Sequence, residues 1–336
     1  MDSRLYQAAA QWPPGDSRIE QLYTLAVAPG EPRSLAQRLH MGLLLVAALL
    51  LASGLVFWIA ANWQEQTRMF KLLLIEGALL VSVLASLFWR RGRIAALLCA
   101  TLALGGLLAF VGQTYQTGAD AWQLFATWAA LALLWTLLAR SDVLWLLWVL
   151  VAAAGIAMWW GHLDPWELLF RGRSTTQQHF LFAAMWLALA LVPALVSLLP
   201  WARLQGGVGW WSHRLALGLA LAAWTVMGLL QLLSSKGTDW GWWLSGLLIA
   251  LAMLVSYQGR LRDFVSLCLC TLAANVWLLA LLARLLFDGG SEEAAFLFFA
   301  LATLACLAAT VSGLLAVQRR LRAEAASAED AAGGQP

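Results

Sequence analysis

The stretch MGLLLVAALLLASGLVFWIAA, residues 41–61, decides the fold. Its 21 residues contain no charge, and as helix at 1.5 Å per residue they reach ~31 Å, the thickness of a hydrocarbon core. A soluble core is assembled from shorter, amphipathic pieces. Nine further blocks repeat the pattern, so the spacing predicts spans at about 41–61, 72–89, 94–112, 122–139, 143–160, 180–199, 215–233, 242–257, 264–286 and 295–317. Composition agrees. Of 336 residues, 62% are hydrophobic and 12% charged, too few polar groups to cover a soluble protein of this length. The expected class is all-α, a polytopic transmembrane helical bundle of about ten spans.

Lys and Arg concentrate on one side of those spans. With the N-terminus inside, the cytoplasmic segments hold fifteen, including Arg90, Arg91, Arg93, Arg140, Arg214 and Arg319. The opposite side holds six: Arg68, Lys71, Arg171, Arg173, Lys236 and Arg284. The positive-inside rule then predicts both termini in the cytoplasm of a bacterial inner membrane. No cleavable signal peptide is expected, because residues 1–40 are polar and the first apolar run is full span length.

Residues 1–40 read as a short cytoplasmic helical segment, with Ser17/Glu20 and Ser34/Gln37 as capping boxes. Asp164-Pro165-Trp166-Glu167 predicts a short interfacial helix before the sixth span, and Ser291-Glu292-Glu293 opens the tenth. The Ala/Glu-rich tail, residues 318–336, reads as disordered. Most of the 21 Trp sit near span ends, as an aromatic belt does. The membrane lipids are therefore the expected partners, with another inner-membrane protein as a second.

Chemistry-bearing motifs are sparse. Cys268 and Cys270 point to nearly opposite helix faces and cannot jointly hold a metal. No nucleophile elbow, P-loop, zinc-protease or dinucleotide motif occurs, so no catalytic residue, metal site or cofactor is assigned. A net charge of +3 without a basic cluster gives no reason to expect nucleic acid.

What remains lies on the outer side. Glu76 is the one full charge clearly within a predicted span, and an intramembrane carboxylate is either a site or is neutralised by pairing, here with Arg68 or Lys71, or by water. It sits nearly opposite the small-residue row Ala78, Ser82 and Ser86, the expected helix-contact face. Between spans three and four, Gln113, Tyr115 and Gln116 are rich in donors and acceptors. Here Gly112 reads as a helix end, and Asp120 with Gln123 as the next cap. Asn62 and Glu65 end the first span. Membrane depth alone groups Asn62, Glu65, Glu76, Gln113, Tyr115 and Asp120 as a composite ligand-binding site. Gln231 and Asn275 read as interhelical hydrogen-bond partners, and His40, His162, His179 and His213 as surface or cap residues.

The run Gly54-Leu55-Val56-Phe57-Trp58-Ile59-Ala60-Ala61-Asn62-Trp63, the turn Gly112-Gln113-Thr114-Tyr115-Gln116 and the continuation Leu124-Phe125-Ala126-Thr127-Trp128 resemble the DUF2157 family of bacterial membrane proteins. The resemblance covers roughly residues 10–160. It implies that both outer loops are family hallmarks, and it supplies no substrate.

Three functions compete. A permease for a neutral or lipid-like solute suits ten spans without midplane charges. A scaffold, sensor or assembly partner of an envelope complex suits nearly uncharged spans with small-residue faces. A membrane enzyme acting on lipid or glycan at the outer leaflet would need Glu76 or Asp120 as acid or base, and lacks a base–nucleophile constellation.

Overall fold

The computed structural model describes residues 33–62, 64–115, 118, 120–161, 176–198, 209–234, 240–258, 263–287 and 292–333. Among them are ten helices long and apolar enough to cross a membrane. They are α1 Arg33–Ala61, α2 Arg68–Phe88, α3 Arg93–Tyr115, α4 Ala121–Ala139, α5 Asp142–Gly161, α6 Thr176–Leu198, α7 Trp210–Ser234, α8 Trp240–Tyr257, α9 Phe264–Phe287 and α10 Glu292–Gly333. Each coincides with a span expected from the apolar runs. The Ser17 helix and the Asp164–Glu167 helix lie outside the described residues.

Three boundaries differ from expectation. Gly112 does not end α3, which continues to Tyr115. In hydrocarbon every backbone group needs a partner, so one glycine is a weak stop. Gly118, at φ +66°, is the left-handed residue of that connection. Ser34 lies inside the first turn of α1 rather than before it. The chain also stays helical beyond Gln318, with α10 running unbroken to Gly333. The Ala and Glu that fill that tail are strong helix formers.

The chain divides into two compact units, residues 1–107 and 108–336. In the first, α1 lies on α3. The Cys99 thiol donates to the carbonyl of Ala48 at 3.4 Å, and a Cβ on Gly106 would sit 3.7 Å from Val56. Trp58 at the end of α1 meets Phe70 at the start of α2, ring centroids 6.3 Å apart. Lys71, Ile75 and Ser86 are the buried residues of α2, and Ala78 and Ser82 are half-buried on the same side. That is the face the small-residue row pointed to.

The second unit has a dense core built on α5, α6, α7, α8 and α9. Its α4–α5 connection is a tight turn in which Arg140 takes a left-handed φ of 51°. Trp148 then donates its indole N–H to the carbonyl of Ala129 at 2.9 Å, tying α5 back to α4. Trp145, Trp224 and Trp242 are fully buried, so Trp242, which its place near a span end assigned to the membrane-interface belt, is core instead. Several hydroxyls inside the helices are satisfied locally. Thr136 and Thr225 each donate to the carbonyl four residues back, at 2.8 and 2.7 Å.

Candidate functional site

Three of the six grouped residues lie in the first unit. Asn62 closes α1: its side-chain amide donates to the carbonyl of Trp58 at 2.8 Å. Its own carbonyl accepts from the N–H groups of Glu65 and Gln66. The residue is thus a helix-end device whose groups are largely spent on backbone. Glu65 lies exposed in the turn that follows, and Thr67 then caps α2 by accepting from the N–H of Phe70. Glu76 is exposed on α2 and makes no ion pair among the described residues. Pairing with Lys71 does not occur, because five helical residues separate the two by about 140° and Lys71 is turned into the protein, 4% exposed.

The other three belong to the second unit. Gln113 and Tyr115 are exposed on the last turn of α3. Asp120 holds the position before α4 in extended backbone, but its carboxylate makes no cap hydrogen bond. The backbone bond from the N–H of Gln123 to its carbonyl, 3.0 Å, performs that task instead. Asp120 thus stands at the expected N-cap position without the side-chain cap bond.

The second unit also contains polar groups that sequence reasoning placed wrongly or passed over. His179 is not a surface residue; it is 7% exposed. Its Nε2 lies 2.6 Å from Nε2 of Gln231, so the amide donates and the neutral ring accepts. The pair joins α6 to α7 beside a small cavity walled by Trp160, Phe182, Met227 and Leu230. Gln231 thus makes the interhelical bond expected of it. Asn275 does too: its side-chain carbonyl accepts from the Cys306 thiol and the Thr310 hydroxyl of α10, both at 3.1 Å.

The ends of the parallel pair α7 and α9 carry the charges. At their N-terminal ends Arg214 grips Asp263 with two hydrogen bonds, 2.8 and 2.7 Å. Asp263 also caps α9, accepting from the backbone N–H and hydroxyl of Ser266. Burial alone would raise this carboxyl. The bonds from Arg214 and Ser266, with the arginine's charge, outweigh burial and bring it from 3.8 down to about 2. Asp142 on α5 caps α7 from outside, accepting from the N–H groups of Gly209 and Ser212 at 3.0 and 3.1 Å. A carboxylate at a helix N-terminus is favourable in either case. Sequence could flag acids beside helix starts, but a cap supplied by another helix has no local signature.

The C-terminal ends of the same pair diverge. Leu229, Leu232 and Leu233 of α7 face Ala280, Ala283 and Phe287 of α9 across a cleft of ≈ 450 Å³. Arg284 stands at its rim and donates from Nη1 to the carbonyl of Leu232. The pair is therefore clasped by ions at one end and, among the described residues, open and apolar at the other with Arg284 at the rim.

Residues 15–145 match the family described as predicted membrane protein DUF2157. That span takes in Asn62, Glu76, Gln113 and Asp120, whereas the His179–Gln231 pair and the cleft lie beyond it. No curated protein and no solved structure matches the chain.

Proposed function

We propose that this multi-pass membrane protein is a permease-like protein for a neutral or lipid-like solute, seated in a bacterial inner membrane with both termini cytoplasmic. The observation that carries the reading is the apolar cleft between α7 and α9. It lies inside two candidate spans, Trp210–Leu233 and Phe264–Phe287, and among the described residues is lined by leucine, alanine and phenylalanine, with Arg284 and no carboxylate. Coupled transporters of charged cargo keep ionisable groups near the midplane. Here Asn275, within α9, is hydrogen-bonded to Cys306 and Thr310 with no carboxylate beside it among the described residues. The excess of Lys and Arg on one side supports the orientation.

Reconstitution into liposomes tests this reading. Fluorescent phospholipid analogues should cross the bilayer faster with the protein than without it, and Ala283→Phe, which fills the cleft, should abolish the gain. Equal rates with and without protein would end the permease reading.

A second reading, an assembly partner of an envelope complex, draws on α10. Only 6% of its most apolar stretch is buried, and the helix runs on to Gly333. A membrane protein that co-purifies with the full chain and is lost on deleting residues 295–333 would favour it.

A further inference from the structure

We propose that the turn between α2 and α3 binds the headgroup of an anionic phospholipid, with Arg90 and Arg93 sharing one phosphate. Residues 87–93 read Leu-Phe-Trp-Arg-Arg-Gly-Arg. Helix α2 ends at Phe88, and a three-residue 3-10 turn, Arg90–Gly92, leads directly into α3. Two candidate spans, Arg68–Phe88 and Arg90–Tyr115, meet here, at the level where acyl chains give way to headgroups. Leu87, Phe88 and Trp89 are exposed, and so are Arg90, Arg91 and Arg93. Side chains suited to acyl chains and side chains suited to phosphate therefore follow one another within a single turn.

The turn is held by its own residues. The N–H of Trp89 donates to the carbonyl of Ala85 at 2.8 Å, and the N–H of Gly92 to the carbonyl of Trp89 at 3.2 Å. The Trp89 ring lies against Gly92, where any added Cβ would overlap it. Residues three apart nearly eclipse in a 3-10 turn, so Arg90 and Arg93 leave on one side. Neither they nor Arg91 forms an ion pair or a hydrogen bond among the described residues. Like charges so placed repel, and an anion between them removes the cost. The described carboxylates of the first unit are Glu65 and Glu76. Glu76 stands ~18 Å before Phe88 along α2, and Glu65 stands further back. A phosphate fits instead, since its oxygens accept paired N–H bonds from two planar guanidinia. Basic side chains at a membrane surface draw anionic headgroups by the same charge. This turn belongs to the first unit and the α7–α9 cleft to the second, so the site is independent of the permease reading.

The test uses the full-length protein, purified and delipidated in detergent. Binding of phosphatidylglycerol, phosphatidylcholine and inorganic phosphate is measured by native mass spectrometry and by the shift in unfolding temperature. Phosphatidylglycerol should bind about tenfold tighter than phosphatidylcholine, the scale of two arginines at a charged surface. Arg90→Gln with Arg93→Gln should erase that preference. Arg319→Gln with Arg320→Gln, an equal loss of exposed charge on α10, should leave it intact. Equal binding of the two lipids overturns the proposal, as does a preference that survives the first pair or falls equally in the second. Inorganic phosphate binding as tightly as the lipid would make this a free-phosphate site, and overturns it. Deleting residues 1–32 should change nothing. A preference that rises on deletion would show that the carboxylates of that segment hold the arginines, and overturns it too. Should the arginine pair fail to insert, a photoactivatable phosphatidylglycerol decides on the unaltered protein. Cross-links on residues 87–93 support the site, and cross-links only elsewhere refute it.

Discussion

Helices α1 and α2 bury 17% of their most apolar stretches, whereas α7 buries 50%. The residues are of similar kind, yet they are used differently. Leu43, Leu50, Leu51 and Phe57 of α1, and Leu73, Val81, Leu87 and Phe88 of α2, stand half or more exposed. Leucine gains little from leaving acyl chains for a protein interior, so such surfaces are at rest in lipid. The core on α5 to α9 is held by close packing and by side-chain bonds between helices. There Trp242 stacks on Trp277 at 4.1 Å, and the Trp277 indole donates to Ser245 at 3.1 Å. In a membrane, hydropathy makes a helix, and small residues with satisfied polar groups make a bundle.

The largest effect that tests this contrast is truncation of a core tryptophan. Trp224 is 1% exposed, and its indole donates to the carbonyl of Ala183. Trp224→Ala should cost about 3–5 kcal/mol through the cavity and the orphaned carbonyl. Leu50→Ala, on the 67%-exposed face of α1, should cost less than about 0.5 kcal/mol. Reversible unfolding in mixed micelles measures both. Similar losses would mean that α1 has a protein partner where lipid is assumed.

Adding a methyl group makes a second, smaller contrast. A Cβ on Gly246 would lie 2.7 Å from the Trp277 ring, itself pinned by its stack and its hydrogen bond. Gly246→Ala should therefore destabilise by about 1–3 kcal/mol. Gly54 and Gly77 meet nothing within 4 Å, so alanine there should stabilise by up to about 1 kcal/mol through helix propensity. The same chemical change takes opposite signs in the two regions.

That contrast also explains what the sequence disclosed. Ten spans were legible because a span is a local property, a run of apolar residues of fixed length. Gln231 and Asn275 were legible as interhelical partners, since an amide within a span has few other uses. His179 was misread because its proximity to a predicted span end suggested water, while its fate depended on Gln231, 52 residues away. Asp142 and Asp263 look like ordinary acids at helix starts. That Asp142 caps α7, and that Asp263 binds Arg214, follows only from which helices pack together. Asn62, in contrast, behaves as the local pattern said, because its bonds run to its own helix end.

A third effect is set by pH. The Asp263 carboxyl lies near 2 in the folded protein against an ordinary 3.8. A lowered folded-state value means that its stabilisation is complete above about 3.8 and is lost as pH falls towards 2. This group should leave the unfolding temperature level between pH 7 and 4 and lower it progressively below. Arg214→Gln removes both bonds and the charge that hold the carboxyl down, so the decline below pH 4 should shrink. An unchanged profile would mean that Ser266 alone maintains the cap.

The smallest expected effect concerns Glu76, and it tests the first unit most directly. Its carboxylate is exposed and forms no ion pair among the described residues, while the buried side of α2 is occupied by Lys71, Ile75 and Ser86. Two surroundings make an exposed carboxylate tolerable at that position: water reaching from the span end, or a partner molecule. Lone carboxylates in hydrocarbon are costly, and a partner would be left with its own charge or donor unsatisfied after neutralisation. If water is the surrounding, Glu76→Gln exchanges one hydrated group for another, and stability in micelles should change by less than about 0.5 kcal/mol. Membrane insertion, read by a C-terminal reporter, should be unchanged as well. A loss of several kcal/mol in bilayers but not in micelles would instead reveal a partner that detergent strips away. The face of α2 that looks lipid-exposed beside Glu76 would then be an interface, and the contrast between the two regions would narrow to α1 alone.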